Sequence, residues 1–177
     1  MKKILPFAAG LLVALAAGWA AFPRVIYKSR PQPVEFSHKV HAETAGQKCE
    51  DCHTFRDDGT FAGLPKLEQC AGCHAAPAGS TQAEKMFIEK YVTPGREPEW
   101  AVYAHQPENV FFSHATHVKI GKLKCEQCHR DESKVDKPRL YREDRISGYS
   151  QETQSMDACI DCHRKKGLEH SCMECHK

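Results

Sequence analysis

The ten cysteines of this 177-residue chain form five pairs with two residues between partners, and a histidine follows every pair at once. They read Cys49-Glu-Asp-Cys52-His53, Cys70-Ala-Gly-Cys73-His74, Cys125-Glu-Gln-Cys128-His129, Cys159-Ile-Asp-Cys162-His163 and Cys172-Met-Glu-Cys175-His176. No cysteine is left over. Two thiols three positions apart lie on one side of a helical turn, and the next residue projects its ring from the same side. This is the attachment pattern of c-type haem: two thioethers on one porphyrin edge, with the imidazole as proximal iron ligand. Paired cysteines can also hold zinc, and an exported chain can carry a disulfide scaffold. Neither of those calls for a histidine after all five pairs.

Six histidines lie outside the motifs: His38, His41, His105, His114, His117 and His170. Four of them belong to a repeated element, Phe36-Ser37-His38-Lys39-Val40-His41 and Phe112-Ser113-His114-Ala115-Thr116-His117. In each copy the second histidine comes eight residues before the first cysteine of a motif, and Val34 or Val110 sits two residues before the Phe. The duplication divides the chain into two related halves, about 33–108 and 109–177. Histidines at i and i+3 share one side of a turn, so their rings can serve two neighbouring haems while the Phe packs on a porphyrin face. Bis-histidine closure of five irons needs five distal ligands, and six candidates exist. His105 and His170 compete for the last position or are both used. Methionine is the alternative sixth ligand, which raises a haem's potential, and Met86, Met156 and Met173 are the candidates outside the N-terminal segment.

The elements that hold these residues are short. Ile4 to Phe22 is apolar apart from Pro6 and two glycines, long enough to span a bilayer, with Lys2 and Lys3 before it and Pro23-Arg24 closing it. A cleaved secretory signal shares the charged start and apolar centre, with cleavage sites around Ala16 to Ala20, but Trp19 spoils the cleanest of these. The reading adopted is an uncleaved anchor over 1–27, a linker over 28–35, and a multihaem domain over 36–177. Arg24, Lys28 and Arg30 on the far side oppose the usual charge bias. Haem attachment outside the cytoplasm sets the orientation instead: an inner-membrane anchor with a periplasmic domain. The segment Lys28 to Glu35, with Pro31 and Pro33, reads as an extended spacer lifting the domain off the membrane.

Ser80 to Tyr91 has helical spacing and ends before Thr93-Pro94-Gly95; Glu152 to Ile160 is a second helical stretch. No strand pattern stands out, and the highly charged Asp131 to Arg145 reads as a solvated loop. The expected fold is mostly irregular with short α-helices: a class III-like multihaem cytochrome c domain behind one N-terminal transmembrane helix. Aromatics make up only 8% of the chain, so cofactors are expected to fill the interior. The formal charge of +2 offers no nucleic-acid signal, and five ferric haems, each about one negative charge, would bring it to about −3. Neither a Ser-His-Asp order nor a glycine-rich phosphate loop is present. With every iron six-coordinate, nothing binds substrate. All-histidine haems sit at low potential, suited to anaerobic respiration.

From Pro33 to Lys177 the sequence resembles the multihaem cytochrome c subunit of bacterial menaquinone reductase complexes. It is also similar to the pentahaem subunit of alternative complex III. The resemblance rests on Phe36-Ser37-His38 with His41, on Phe61-Ala62-Gly63, and on Trp100 to His117. Arg145-Ile146-Ser147-Gly148-Tyr149-Ser150 and the closing Cys175-His176-Lys177 favour the menaquinone reductase branch, while the histidine pairs resemble class III tetrahaem cytochromes.

The resemblance implies a subunit that takes electrons from a soluble periplasmic tetrahaem cytochrome c. It hands them through molybdopterin-oxidoreductase-like, iron–sulfur and integral membrane quinone-site subunits toward menaquinone, in sulfate respiration. That branch is credited with six haems, whereas the cysteines here attach five. A sixth would have to be non-covalent or share a cysteine. Competing readings are a cytochrome subunit of a quinol-oxidising complex, a stand-alone membrane-anchored quinol dehydrogenase, and an enzyme with an open haem site. The five motifs, and the lack of a methionine two residues after His53, oppose the stand-alone type.

Overall fold

The computed structural model describes residues 4–176; Lys2, Lys3 and Lys177 lie outside the described residues. Helix α1 (Ile4–Ile26) runs for 23 residues, and Pro6–Ile26 is long and apolar enough to cross a membrane, with none of its described residues buried in the protein. The helix does not stop at Pro23 but continues for another turn. Pro23 lacks the N–H that would bond the Trp19 carbonyl, and the Arg24 guanidinium bonds the next carbonyl, that of Ala20, at 2.8 Å.

The chain then enters strand β1 (Tyr27–Arg30), which pairs antiparallel with β2 (Tyr141–Asp144), Tyr27 opposite Asp144 and Arg30 opposite Tyr141. The extended spacer expected over Lys28–Glu35 is therefore built into the domain from its first residues. Arg145 N–H bonds the Ile26 carbonyl at 2.8 Å, and Gln32 bonds both backbone groups of Ala101 at 2.8 and 3.0 Å. Arg30 lies over the Tyr141 ring and Arg142 over Tyr27, each about one side chain away at 5.0 and 5.1 Å. These contacts tie the end of α1 directly to the domain. A four-residue strand whose partner lies far along the chain has too little alternation to announce itself.

The remaining helices are α2 (Cys49–Cys52), α3 (Leu67–His74), α4 (Gln82–Phe87), α5 (Met156–Lys165) and α6 (Cys172–Cys175). α4 is capped by Thr81, whose hydroxyl accepts from Glu84 N–H, and it widens into a π-helical turn over Ile88–Val92. α5 starts later than the pattern suggested because Ser155 caps it, accepting from Ala158 N–H at 3.3 Å. Leu67, Phe87 and Tyr91 form a small buried cluster against Val34, Cys70, Ile88 and Val92. Elsewhere among the described residues only Pro98, Ala101, Tyr141 and Ser150 are buried.

The charged stretch after the third motif is not a loose loop. Arg139 is 23% exposed, holds Glu152 through two bonds of 3.0 Å and Glu132 at 2.5 Å, and lies over the Tyr103 ring at 5.0 Å. Tyr103 returns its hydroxyl to the Arg139 carbonyl. Further pairs, Lys39–Asp136 and Lys137–Glu35, bring this stretch onto the first Phe-Ser-His element. Arg139→Ala is expected to cost about 1–3 kcal/mol, below the figure for fully buried pairs because solvent reaches all three partners. Thermal melting followed by visible circular dichroism measures it. Arg139→Lys, which keeps the charge but loses the fork, should lose a smaller share.

Candidate haem sites

Each of the five motifs folds as one helical turn. Motifs one, two, four and five lie in α2, α3, α5 and α6, and the third is a 3-10 turn over Cys125–Gln127. The histidine N–H bonds the first cysteine's carbonyl at 2.8 Å for His53 and 2.9 Å for His129 and His176. Both thiols and the imidazole thus leave one side of the turn. Residues between the cysteines help build it: Asp51 accepts from Lys48 N–H and Gln127 from Lys124 N–H, at 2.8 and 2.9 Å. The ten cysteines are not disulfide-bonded. Burial pushes the thiols of Cys52, Cys70, Cys125, Cys128 and Cys159 up.

The two repeated elements share one geometry. Ser37 and Ser113 cap their turns, the hydroxyls accepting from Val40 and Thr116 N–H at 3.1 and 3.2 Å. Their carbonyls accept from the Nδ1–H of His41 and His117 at 2.7 and 2.8 Å. Each turn continues as a π-helix, Val40–Thr44 and Ala115–Ile120. Phe36 touches His38 edge-on at 4.7 Å and stacks on His41 at 4.3 Å; Phe112 does the same to His114 and His117 at 4.8 and 4.6 Å. Neither serine was singled out in the sequence, although both copies of the repeat carry one.

Proximal rings are oriented in the same way. His53 Nδ1–H donates to the Gly63 carbonyl at 3.0 Å and His176 to that of Asn109 at 3.2 Å. A tight hairpin over 54–62 makes the first possible, and Gly63 holds φ +82°, a backbone angle that a side chain would strain. His163 donates to the Glu169 carbonyl at 2.7 Å because Gly167, at φ +66°, reverses the chain after α5. His74 differs: its Nδ1–H donates to the Glu84 carboxylate at 2.8 Å. Burial alone would raise Glu84, but bonds from Ala78 and Gly79 N–H and from His74 hold its carboxyl below the ordinary value. With Nδ1 committed, Nε2 is left to bind a metal, the usual division of labour in ligating imidazoles.

Ring spacing provides the fit test for haem iron. With a metal–imidazole bond of about 2.0–2.1 Å and roughly 1.1 Å from nitrogen to ring centre, two imidazoles sharing a metal have centres about 6.3 Å apart. His41 and His74 are 6.1 Å apart, His114 and His129 6.3 Å, and His117 and His163 6.1 Å. Each pair joins a histidine of the repeated element to one that follows a cysteine pair. His38 lies within electrostatic reach of His53. Desolvation lowers His38 and His114 from the ordinary histidine value, favouring the neutral ring that a metal requires.

The fifth motif is organised differently. Val110 bridges to His176, and Phe111 N–H bonds the Cys175 carbonyl at 2.7 Å. Beside it is a cavity of about 590 Å³ lined by His105, Glu108, Asn109, Gly148 and Tyr149. His170 is exposed on the loop between α5 and α6, its Nδ1–H on the Leu168 carbonyl at 3.0 Å. Met86, Met156 and Met173 are exposed as well.

Comparison with known proteins agrees with this chemistry. Residues 19–96 match the class III cytochrome c family, and residues 110–177 match cytochrome c7 and related cytochromes c. The chain is 44% identical to the menaquinone reductase, multiheme cytochrome c subunit, of Nitratidesulfovibrio vulgaris (strain Hildenborough), over 97% of this chain and 89% of the relative. The chain belongs to that family of multihaem cytochromes c. As such, the cytochrome carries electrons on covalently bound haem, and its short helices and irregular connections are the architecture of the class III type. The sequence-based resemblance to this branch is thereby borne out.

Proposed function

We propose that ten imidazoles close five covalently held haem irons: His38 with His53, His41 with His74, His114 with His129, His117 with His163, and His105 with His176. The observation that carries this is the 6.1–6.3 Å separation of three ring pairs, the spacing a shared iron imposes. His38 with His53 completes the pattern by the repeat, since both first histidines stand fifteen residues before their partners. His105 is favoured over His170 because it lines the cavity that also contains Asn109, whose carbonyl orients His176. When bound, haem supplies a reversible one-electron iron couple. The protein supplies both axial ligands, their orientation and their burial. With both axial positions filled by histidine, no iron is open to substrate, and the chain conducts rather than catalyses.

In this reading α1 is an uncleaved anchor in the inner membrane, and residues 36–177 form the periplasmic domain of two related halves. The family matches over 19–96 and 110–177 support that division. The cytochrome serves a menaquinone reductase complex, as its relative's name says of that protein. It receives electrons from a soluble tetrahaem cytochrome c and passes them through partner subunits, two electrons and two protons per menaquinone reduced.

The test is to isolate the complex that co-purifies with the tagged chain in mild detergent. Reduced periplasmic tetrahaem cytochrome c is added, and absorbance is followed with and without a menaquinone analogue. The expected result is rapid reduction of the haems, then reoxidation by the quinone. Reduction of the haems by menaquinol, with no net flow in the other direction, would contradict the proposed direction and favour a quinol-oxidising complex.

A further inference from the structure

The aromatic rings between the histidines connect the sites in an order that differs from their order along the chain. Phe36 contacts both His38 and His41, at 4.7 and 4.3 Å, and so lies between the first and second sites. Phe61 stacks on His114 at 4.2 Å and faces His53 at 6.4 Å, joining the first site to the third across the two halves. Phe112 lies between His114 and His117, the third and fourth sites. The thiols follow the same path. Cys52 is near Cys70 and Cys73, Cys49 is near Cys125, Cys128 is near Cys162, and Cys159 is near Cys175. The fourth and fifth motifs are also joined by the short segment between α5 and α6.

We infer that the five haem sites stand in single file, in the motif order second, first, third, fourth, fifth, with Phe36, Phe61 and Phe112 at the first three junctions and the segment between α5 and α6 at the last. This rests on the ligand pairing proposed above. The second and fifth sites are then the termini, and the first motif, though nearest the N-terminus, lies in the interior of the file. Phe61 is the single aromatic residue that links the halves through histidine ligands among the described ring contacts. Electrons crossing from one half to the other pass between His53 and His114.

The test uses the full-length, haem-loaded chain in detergent and electron paramagnetic resonance. A ferric bis-histidine haem is paramagnetic and its ferrous form is not, so reducing one haem releases its neighbours from magnetic coupling. His38→Met and His41→Met each exchange one distal ligand, so the altered haem becomes the first to accept an electron. The file predicts that one reducing equivalent sharpens two neighbouring signals in His38→Met but only one in His41→Met. The reverse pattern, one and two, is what sites arranged in chain order would give, and it would overturn the inference. A variant that loads four haems is equally informative, because a missing haem uncouples the same neighbours. Should the substituted ligand alter some other haem, the pairing fails rather than the order, and the two failures are told apart by which signal moves first.

Discussion

Replacing Cys125 and Cys128 together by alanine is expected to yield a protein with four covalent haems, and to slow electron passage between its two halves by more than about tenfold, a barrier increase of roughly 1.4 kcal/mol or more. The third site is the one that both halves share. His114 stacks on Phe61 of the first half at 4.2 Å and touches Phe112 of the second at 4.8 Å, and the Cys125 thiol lies near that of Cys49. Losing its haem leaves two haems on one side and two on the other. Stopped-flow reduction by the tetrahaem cytochrome should then show two haems filling quickly and two lagging. Removing Cys172 and Cys175 instead takes away a terminal haem and should leave the other four reduced in one phase. The first variant should also melt at lower temperature, since it loses the apolar surface that the folded chain buries against the haem and the ligation of its iron by His114.

Glu84→Gln is expected to raise the potential of the second haem alone, by roughly 60–120 mV. That is the one-electron equivalent of the 10–100-fold effects seen when a ligand's hydrogen-bond partner is removed. Of the ring nitrogens tied by hydrogen bonds, His74 Nδ1 is paired with a carboxylate, while those of His53, His163 and His176 meet carbonyls. The negative charge makes the imidazole a stronger donor and stabilises the ferric iron. Glutamine keeps an oxygen for the bond but removes the charge. A spectroelectrochemical titration resolves this as one component shifted and four unchanged. Glu84 also accepts from Ala78 and Gly79 N–H at 2.8 and 2.9 Å, so the variant should lose some stability near α4. Its carboxyl is held below the ordinary value of 4.5. The stability it contributes is therefore complete above that value and is lost only as pH falls through the lower, folded-state value.

What the sequence revealed and what it concealed follow from the range of the interactions. The attachment motifs are local, five residues each, so their chemistry was plain from spacing alone. The Phe-Ser-His-x-x-His repeat was legible for the same reason, and it identified four of the distal candidates. Which ring faces which was not legible. His41 meets His74 across more than thirty residues, passing over the nearer His53, and no local pattern records that choice. Glu84 resembled any other charged residue on an amphipathic helix until α4 brought it to His74. Gly63 and Glu169 act through backbone carbonyls, which carry no residue signature.

The largest departures are in the connections. The sequence suggests an extended spacer over Lys28–Glu35 and a solvated loop over Asp131–Arg145, yet the two stretches pair where β1 meets β2. Charge misled here: Arg139, Glu132 and Glu152 satisfy one another while partly withdrawn from water, which a count of charges does not distinguish from solvation. The consequence concerns function. The domain is fastened to the end of α1 at Ile26, and the loop carrying Gly148 and Tyr149 beside the fifth site follows directly from that attachment.

The pairing of ten cysteines and ten imidazoles around five irons stands or falls on how many haems the chain holds. Pyridine haemochrome absorbance of the purified chain, set against its protein concentration by amino-acid analysis, measures this directly. Five haems per chain, all retained after acid–acetone extraction, is the predicted result. Six, or any fraction lost to the extraction, would contradict the account: it would mean a haem site that the five cysteine pairs and their ten paired imidazoles do not supply.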